Sequence, residues 1–523
     1  MELELKIVGG QVADGTGAPL RQADLGIAGG VIVDEGDLSR APARRVIEAG
    51  GRLVCPGFID SHSHSDSYLL LEPSAPSKIF QGVTTEVVGN CGASAAPLLG
   101  SAARLPSDWE SKSYPGRWST MAEYRALLES VRPAVNVVML AGHGKLRAAV
   151  MGYEGRPATP DEVRRMEHLL DRAMEEGAAG LSTGLIYAPG MYAEPAEITA
   201  LAAVAARRKG IYTTHMRSEG ARLLESLDET LAVARASGVR VSVSHLKTSG
   251  RANWGLLDAA LEKLNAARAE GIPVAADRYP YIASNTDLDV ILPNWAAEGG
   301  REAVLARLRD PVTRTRLRAE LLENRPETYW GTIVIGSTAH PDHAGLQGKP
   351  LEEAAEILGV EPVDAALRLI DRDELRTGAF FFGMSEPNMW RILAEPWVMI
   401  GSDASIRSPT GVLSQDYPHP RAYGTFPRFL RAALDGKTVP LVEAVRKMTS
   451  LPAAHFRLGN RGVLRRGAAA DVVVVDPARV RDVATFAAPH ALAEGIDLVV
   501  VNGVITLEGG SFSGNRAGRI LAP

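Results

Sequence analysis

The amino-acid sequence predicts an α/β protein built on a (β/α)8 barrel, the TIM-barrel fold, together with a small β-sandwich domain. Three observations lead to this fold class. Eight short apolar segments alternate with helical patterns through the middle of the chain, which is typical of parallel βα units. Both chain ends contain glycine-bounded strands without helices between them. One interval between two central strands is far longer than the others, which indicates an insertion.

The two chain ends, residues 1–56 and 456–523, are predicted to form the β-sandwich domain together. Residues 1–56 contain short strands broken by glycine, and valine-rich runs occupy residues 470–476 and 498–505. Apolar runs of this length, bounded by turn residues, are typical of buried strands. Because both ends share this pattern, we expect them to pair into one domain.

The central residues, 57–455, are predicted to form the barrel. Its strands are expected at residues 58–60, 85–88, 136–140, 180–183, 211–214, 239–244, 274–277 and 397–400. Helices are expected between several of them, including one that Thr159 caps, with Pro160 in its first turn and Glu162 completing a capping box. Active sites of such barrels lie at the carboxyl ends of the strands. The residues that follow each strand are therefore the first candidates for function.

The seventh and eighth predicted strands are separated by more than a hundred residues. An ordinary connection between a strand and the next element is much shorter. We therefore expect an inserted subdomain or lid at about residues 285–345.

The composition excludes several classes of protein. The chain has 523 residues, 46% hydrophobic and 23% charged, with a formal net charge of −5, so no nucleic-acid partner is expected. No apolar run reaches the ~20 residues of a membrane span, and the acidic N-terminus lacks the basic region of a signal peptide. Two cysteines, Cys55 and Cys91, are too few for a disulfide framework. We expect a cytoplasmic protein that binds a small-molecule substrate, without a nucleic-acid or membrane partner, and leave assembly into a homo-oligomer open.

Two histidines follow the first predicted barrel strand directly. Side chains alternate faces along a strand, so His62 and His64 point the same way. Two imidazoles on one face can chelate a single metal ion such as zinc. The alternative is a pair of surface histidines near a loop, so the metal interpretation needs more ligands.

Four further strand ends carry groups that bind metals or protons. Cys91 follows the second predicted strand, His215 the fifth, His245 the sixth and Asp403 the eighth. Histidines distributed at random have no reason to occupy these positions, and the ends of barrel strands share one active-site face. The sequence therefore predicts a metal site there, with Asp403 placed to transfer a proton.

Each of these four residues also has a structural interpretation. Cys91 could be a small buried filler, as most lone cysteines are. His215 and His245 could be hydrogen-bonded histidines of the core, and Asp403 could cap its turn. Their matching placement after barrel strands favours the metal site.

Longer motifs surround these residues over nearly the whole chain. They are GFIDSHSH at 57–64, GNCG at 89–92, TGLIY at 183–187, SHLK at 244–247, GSD at 401–403 and HPRAYGTF at 419–426. With a His-x-His on strand 1, single histidines on strands 5 and 6 and an aspartate on strand 8, the chain resembles the amidohydrolase superfamily. Within it, the chain resembles the N-acyl-D-amino-acid deacylases, or D-aminoacylases, and the paired-end β domain and the insertion after strand 7 also look like theirs.

The resemblance implies a zinc site of particular composition. Many binuclear superfamily members bridge their metals with a modified lysine on strand 4, but residues 179–185 contain no lysine. As in the deacylases, a cysteine thiolate takes over as ligand. The ligands implied for one tightly held zinc are Cys91, His215 and His245. His62 and His64 complete a second site that is weak or vacant.

The function implied is zinc-dependent hydrolysis of the amide bond of an N-acyl-D-amino acid, which yields a carboxylate and a free D-amino acid. Zinc with an open coordination position lowers the pKa of a bound water toward ~7. This metal-activated water is expected to attack the amide carbonyl. Asp403 is expected to act as general base and acid, accepting the water proton and passing it to the departing amine.

Four polar residues near strand ends are candidate substrate-binding groups. Lys247 lies two residues beyond His245 on the same face and is placed to pair with a carboxylate, although a solvated lysine at the rim is the alternative. The hydroxyls of Tyr187, Tyr281 and Ser284 are further candidates. The loop at 291–297 is apolar and has no arginine, which favours substrates with neutral or hydrophobic side chains.

Two other functions are considered. The first is hydrolysis of a cyclic amide, as in dihydropyrimidinase-like or dihydroorotase-like members of the superfamily, but the missing strand 4 lysine counts against it. The second is a noncatalytic scaffold of the same fold. A scaffold has no need for Asp403, so the complete set of metal and proton-transfer residues counts against that function too.

Overall fold

Eight parallel strands form the central barrel of the structure, a computed structural model that describes residues 2–103 and 112–522. Barrel strands 1 to 8, in chain order, are Phe58–Asp60, Val83–Val88, Asn136–Gly142, Ala178–Gly184, Ile211–His215, Arg240–Val243, Val274–Arg278 and Val398–Ile400. Each strand is hydrogen-bonded to the next in this order. Strands 1 and 8 meet where Ser61 N donates to Ile400 O at 3.3 Å and Asp403 N donates to His62 O at 2.8 Å. The predicted fold class is confirmed, and each predicted barrel strand overlaps an observed one.

Helices cover the outside of the barrel and fill the insertion. The α-helices are Tyr68–Leu71, Pro76–Ile79, Met121–Val131, His143–Met151, Pro160–Glu175, Pro195–Arg207, Leu223–Ser237, Leu257–Ala269, Arg301–Arg309, Pro311–Asn324, Leu351–Leu358, Pro362–Arg372, Glu386–Ala394, Arg421–Leu434, Leu441–Met448 and Ser450–His455. Within the described part of the chain, none of the helices has the length and apolar character needed to cross a membrane.

The helix Pro160–Glu175 begins with the predicted capping box. Thr159 Oγ1 accepts a hydrogen bond from Glu162 N at 3.3 Å, and Glu162 Oε2 accepts one from Thr159 N at 2.8 Å. The backbone N–H groups of Thr159 and Glu162 lie at the helix start, where they have no carbonyl partner within the helix, and these two bonds satisfy them. The sequence pattern therefore identified this helix start correctly.

We expect Thr159→Ala to lower the free energy of unfolding by about 1 kcal/mol, the usual effect of losing an N-cap side chain. Urea denaturation of the full-length protein would measure the change. Thr315→Ala is a matched control, because Thr315 is an exposed threonine inside the helix Pro311–Asn324, where it caps nothing. Equal effects of the two substitutions would contradict the capping interpretation.

The barrel interior is apolar near the start of its strands and polar at their ends. One hydrophobic cluster combines buried side chains from several barrel strands with residues that follow the last helix. Its fully or nearly buried members include Ile59, Val87, Val138, Leu140, Ala179, Ile211, Ala275, Met399, Phe456 and Leu458. Since these side chains fill the interior around the strand starts, the opposite ends are left for functional groups.

Strands from both chain ends form one nine-stranded sheet. They are Leu5–Val12, Arg21–Ala28, Val31–Gly36, Val46–Glu48, Leu53–Pro56, Val472–Val475, Ile496–Val501, Val504–Glu508 and Ser511–Phe512. The two ends meet in an antiparallel pair in which Cys55 lies opposite Val473. Domain limits at residues 56 and 456 stay predictions.

Alternation along the strand Val472–Val475 attaches this sheet to the barrel. Val472 and Val474 belong to a cluster with the sheet's own strands, such as Leu25. Val473 and Val475 point the other way and belong to the barrel's main cluster. The run of four valines is fully apolar because both of its faces are buried.

The insertion between barrel strands 7 and 8 has its own sheet and core. Its strands are Ala283–Asp287, Ile333–Ile335 and Gly378–Phe382, and the last of these lies between the other two. A separate hydrophobic cluster runs from Leu288 to Ala379. The insertion therefore extends beyond the expected end near residue 345, because its central strand comes last in the sequence.

Candidate metal centre

The structure brings Asp403 and four of the five predicted metal ligands together at the carboxyl ends of the barrel strands, whereas the fifth, His64, lies beside this cluster with its Nε2 3.1 Å from Asp403 Oδ1. Two groups have ligand atoms that all lie within 4.8 Å of one another. The first contains His62, Cys91, His245 and Asp403, and the second contains His215, Glu219 and His245. Because His245 belongs to both, the two groups form one continuous site.

Cys91 lies at the centre of the site and is a free, buried thiol. Its Sγ is 3.4 Å from His62 Nε2 and 3.6 Å from His245 Nε2. Burial alone would raise the pKa of this thiol, but the attraction of His62 and the proximity of the neighbouring imidazoles lower the pKa well below its usual value. A thiolate is the form of cysteine that binds a metal.

The loop that carries Cys91 is fixed by buried polar groups. Asp66 accepts hydrogen bonds from Gly89 N at 3.0 Å and Ala95 N at 3.1 Å. Ser182, on barrel strand 4, donates to Gly89 O and accepts from Gly92 N at 3.1 Å. Thus barrel strand 4, which contains no lysine, holds the cysteine loop in place.

Asp277 orients two of the histidines from the end of barrel strand 7. One of its oxygens lies 3.1 Å from His62 Nδ1, and the other accepts from His245 N at 2.8 Å. A carboxylate on Nδ1 favours the tautomer that leaves Nε2 free to bind a metal. Sequence reasoning missed Asp277, although its place at the end of a predicted strand was a usable signal.

Glu219 orients the imidazole ring of His245 in the same way that Asp277 orients the ring of His62. Its Oε1 is 2.7 Å from His245 Nδ1, and its Oε2 is 3.8 Å from His215 Nε2. Burial would raise the pKa of Glu219, but Lys247 and the two histidines lower it well below its usual value. Glu219 was also missed, because it lies in a loop four residues after His215 with no distinguishing pattern.

His215 provides the clearest indication that the site is built for an ion. Both of its ring nitrogens are buried and have no hydrogen-bond partner among the described residues. Buried polar groups almost always have a hydrogen-bond partner. A buried imidazole that lacks one and lies beside a thiolate is best suited to bind a metal ion. The donor set of thiolate, imidazoles and carboxylate is the one that zinc prefers.

Asp403 lies between the histidines and an arginine. Its Oδ1 is 3.1 Å from His64 Nε2 and 3.3 Å from His62 Nε2, while Oδ2 is 2.8 Å from Arg421 Nη1. Burial would raise the pKa of this carboxyl, but Arg421, His245 and His62 hold it well below its usual range. Asp403 is therefore ionised at neutral pH and able to accept a proton.

Arg421, which belongs to the motif at 419–426, contacts the predicted base directly. It is almost completely buried at the start of the helix Arg421–Leu434. Its guanidinium also lies over the ring of Tyr279, at 4.5 Å from the centroid. These contacts could not be read from the local sequence, because Arg421 and Asp403 are joined only by the fold.

The four predicted substrate-binding residues occupy different surroundings. Lys247 is buried, forms an ion pair with Glu219 and lies 2.8 Å from His245 Nδ1, so it is not a solvated rim lysine. The ring of Tyr187 is 5.2 Å from that of His215, and its hydroxyl lies 3.1 Å from Thr286 in the insertion.

The other two candidates are less directly connected to the site. The Tyr281 hydroxyl donates to Asp482 at 3.3 Å, not to a group of the metal cluster. Ser284 lies on the insertion strand Ala283–Asp287, opposite Phe381. Their part in substrate binding stays a prediction.

Comparison with known proteins places this geometry in a family. The sequence profile of the amidohydrolase family matches residues 45–507. The chain is 41% identical to N-acyl-D-glutamate deacylase from Alcaligenes xylosoxydans xylosoxydans over 99% of its own length and 96% of that protein. It is 39% identical to D-aminoacylase from the same organism, over 99% of this chain and 97% of the relative.

A solved structure agrees over the full length. It is N-acyl-D-glutamate deacylase from Bordetella bronchiseptica, in complex with zinc and a phosphonate inhibitor that mimics the tetrahedral intermediate of the reaction. The TM-score is 0.84 at 36% sequence identity, and the match covers 100% of both chains.

Proposed function

Because the chain belongs to the amidohydrolase family, we propose that it is a zinc-dependent hydrolase of N-acyl-D-amino acids. It cleaves the linear amide bond and releases a carboxylate and a free D-amino acid. The observation that carries this proposal is the buried thiolate and imidazole cluster beside Asp403, in a chain similar over its full length to deacylases of this class.

The proposed ligands of one tightly held zinc are Cys91, His215 and His245, and those of a second, weaker site are His62 and His64. The short distances from Cys91 Sγ to His62 and His245 support a thiolate that lies between the two sets. A zinc ion held there polarises a carbonyl oxygen and lowers the pKa of water.

Asp403 is proposed as the group that moves protons. It accepts a proton from the water whose oxygen attacks the amide carbon, and it gives a proton to the amine nitrogen as the C–N bond breaks. Arg421 keeps the carboxylate ionised between these steps, and the histidines on Oδ1 fix its direction. The first half of the reaction therefore needs the charged form of Asp403, which the surrounding cations favour.

Substrate binding is proposed for Tyr187 and Lys247, because both contact metal-binding histidines. Tyr281 and Ser284 have weaker support. Lys247 is paired with Glu219, and the loop at 291–297 is apolar and has no arginine, so we propose substrates with neutral or hydrophobic side chains.

The test combines metal analysis with a substrate panel. Purified protein is expected to contain zinc and to turn over N-acetyl-D-amino acids, with N-acetyl-D-methionine preferred to N-acetyl-D-glutamate. The panel includes the N-acetyl-L-amino acids and a hydantoin. Turnover of L-forms alone, or of the hydantoin alone, would contradict the proposal. We expect no turnover of the hydantoin, because barrel strand 4 contains no lysine to bridge two metals.

A reducing compartment such as the cytoplasm is proposed for this enzyme. Its proposed ligand Cys91 must stay reduced to bind zinc, and neither cysteine is in a disulfide. Light scattering of the purified protein would show whether it forms a homo-oligomer.

We expect Glu219→Gln to weaken zinc binding by about 10- to 100-fold, the usual effect of losing a carboxylate that orients a metal-binding histidine. Competition with a chelator would measure the change. Glu225→Gln is the control, since Glu225 is exposed and forms an ion pair with Arg222 on the surface. Unchanged zinc affinity in Glu219→Gln would mean that His245 is oriented without Glu219.

A further inference from the structure

A fully buried lysine lies beneath the metal centre, and the proposed mechanism does not use it. Lys78 is in the short helix Pro76–Ile79, and its side chain has no exposed surface. Its Nζ lies 2.6 Å from Asp60 Oδ2 and 3.4 Å from Glu86 Oε2. Both carboxylates are also fully buried, at barrel strands 1 and 2.

The same ammonium group holds the loop that follows barrel strand 8. It donates to Ser402 Oγ at 2.9 Å and to Ala404 O at 3.0 Å. Ser402 is bound a second time, because its N and Oγ donate to the two oxygens of Asp60 at 2.8 and 2.6 Å. The residues immediately before and after Asp403 are therefore both tied to one buried ion pair.

Asp403 needs such support because its backbone is in the left-handed region, with φ of 51°. Residues with a Cβ rarely adopt this conformation, and it persists where the surrounding structure imposes it. The conformation turns the Asp403 carboxylate toward His62 and His64. A loop free to relax would move the carboxylate away from them.

Lys78 also balances the negative charge of the two buried carboxylates. One ammonium faces two carboxylates, and removing it would leave both acids buried without a cation. The hydroxyls of Ser63 and Ser65 donate to Glu86, so the cluster continues to the residue between the two strand 1 histidines.

We propose that Lys78 is a positioning residue for amide hydrolysis. Through Ser402 and Ala404 it holds the Asp403 carboxylate within reach of His62, His64 and the reacting atoms. Lys78 does not touch substrate, since its side chain is closed off from solvent. The proposal rests on the proposed function for its kinetic test, and on geometry alone for its structural test.

The kinetic test compares two buried lysines at opposite ends of barrel strand 8. Lys447 also has no exposed surface, and its Nζ donates to Glu395 O before the strand begins. We expect Lys78→Met to lower kcat by about 10²-fold, as a displacement of about 1 Å in a catalytic group does, with KM and zinc content nearly unchanged. Lys447→Met is expected to lower thermal stability but to keep kcat. Equal kcat in the two variants would overturn the proposal.

Ser402→Ala provides a second variant in case Lys78→Met does not fold. It removes the Ser402 hydroxyl, which is bound to both Lys78 and Asp60, and leaves the bond from Lys78 to Ala404 O in place, so we expect a loss in kcat of about 10-fold. Ser242→Ala is the matched control, because Ser242 is a buried barrel serine whose hydroxyl has no hydrogen-bond partner among the described residues. An unchanged kcat in Ser402→Ala would overturn the proposal.

A crystal structure of Ser402→Ala tests the positioning role of Lys78 independently of the proposed function. If the wild-type protein turns over none of the N-acetyl-D-amino acids, the proposed function fails. The position of Asp403 in the variant still tests the role of Lys78. A shift of the carboxylate away from His62 and His64 supports positioning by this cluster, and an unmoved carboxylate contradicts it.

Discussion

Asp403→Asn is expected to keep its zinc and to lose about 10²- to 10⁴-fold in kcat, the range that a general base or acid contributes. Asparagine preserves the size of the side chain and can still contact Arg421, so the loop has no reason to collapse. Its amide cannot accept the proton of the attacking water or return one to the amine. The loss should therefore appear in kcat more than in KM.

Steady-state kinetics with the best N-acetyl-D-amino acid, together with metal analysis, would measure this effect. Asp435→Asn is the control, because Asp435 is a surface aspartate that forms an ion pair with Arg431 at 2.8 Å. Activity close to wild type in Asp403→Asn would remove this residue as the proton-transfer group. Loss of zinc in the variant would instead indicate that Asp403 is itself a zinc ligand.

Cys91→Ala is expected to lose the tightly held zinc and, with it, hydrolysis. The thiolate lies between His62 and His245 at 3.4 and 3.6 Å, so its removal leaves the tight zinc site with only His215 and His245 of its three proposed ligands. Zinc prefers four ligands in proteins, and the remaining imidazoles are already oriented by Asp277 and Glu219.

The chain offers an internal control for this substitution. Cys55 is also buried, but it lies in the nine-stranded sheet that both chain ends form. Cys55→Ala should therefore keep both zinc and turnover. Wild-type protein stripped with a chelator should match Cys91→Ala in activity and recover when zinc is returned, whereas Cys91→Ala should not. Full zinc content in Cys91→Ala would reassign the ligands. Absence of zinc from the wild type, with unchanged properties in the variant, would favour the noncatalytic scaffold.

The barrel and its principal metal residues could be predicted because they follow local rules. His62, Cys91, His215, His245 and Asp403 each come directly after an apolar strand, and a barrel brings strand ends together whatever the intervening sequence. Residue type then narrows the chemistry to a zinc-like ion. Neither step requires knowledge of a long-range contact.

The supporting residues could not be predicted because their meaning depends on partners far away in sequence. Asp277 serves His62 from 215 positions away, and Lys78 reaches Ser402 across 324. The place of Asp277 at the end of a predicted strand was a local signal, but nothing local separates Lys78 from an ordinary surface charge. For the same reason, the hydrogen bond from the Tyr281 hydroxyl to Asp482, 201 positions away, could not be read from the sequence.

The pairing of the two chain ends in one sheet has a consequence for biosynthesis. The strand Leu53–Pro56 pairs with Val472–Val475, and 418 positions separate Cys55 from Val473. At about 5–20 residues per second on the ribosome, this interval takes roughly 20–80 s. During that time the early strands present an unpaired edge that can recruit other chains. We therefore expect the nascent protein to be exposed to aggregation until Val472–Val475 has been synthesised, so that its yield depends on chaperone supply and elongation rate.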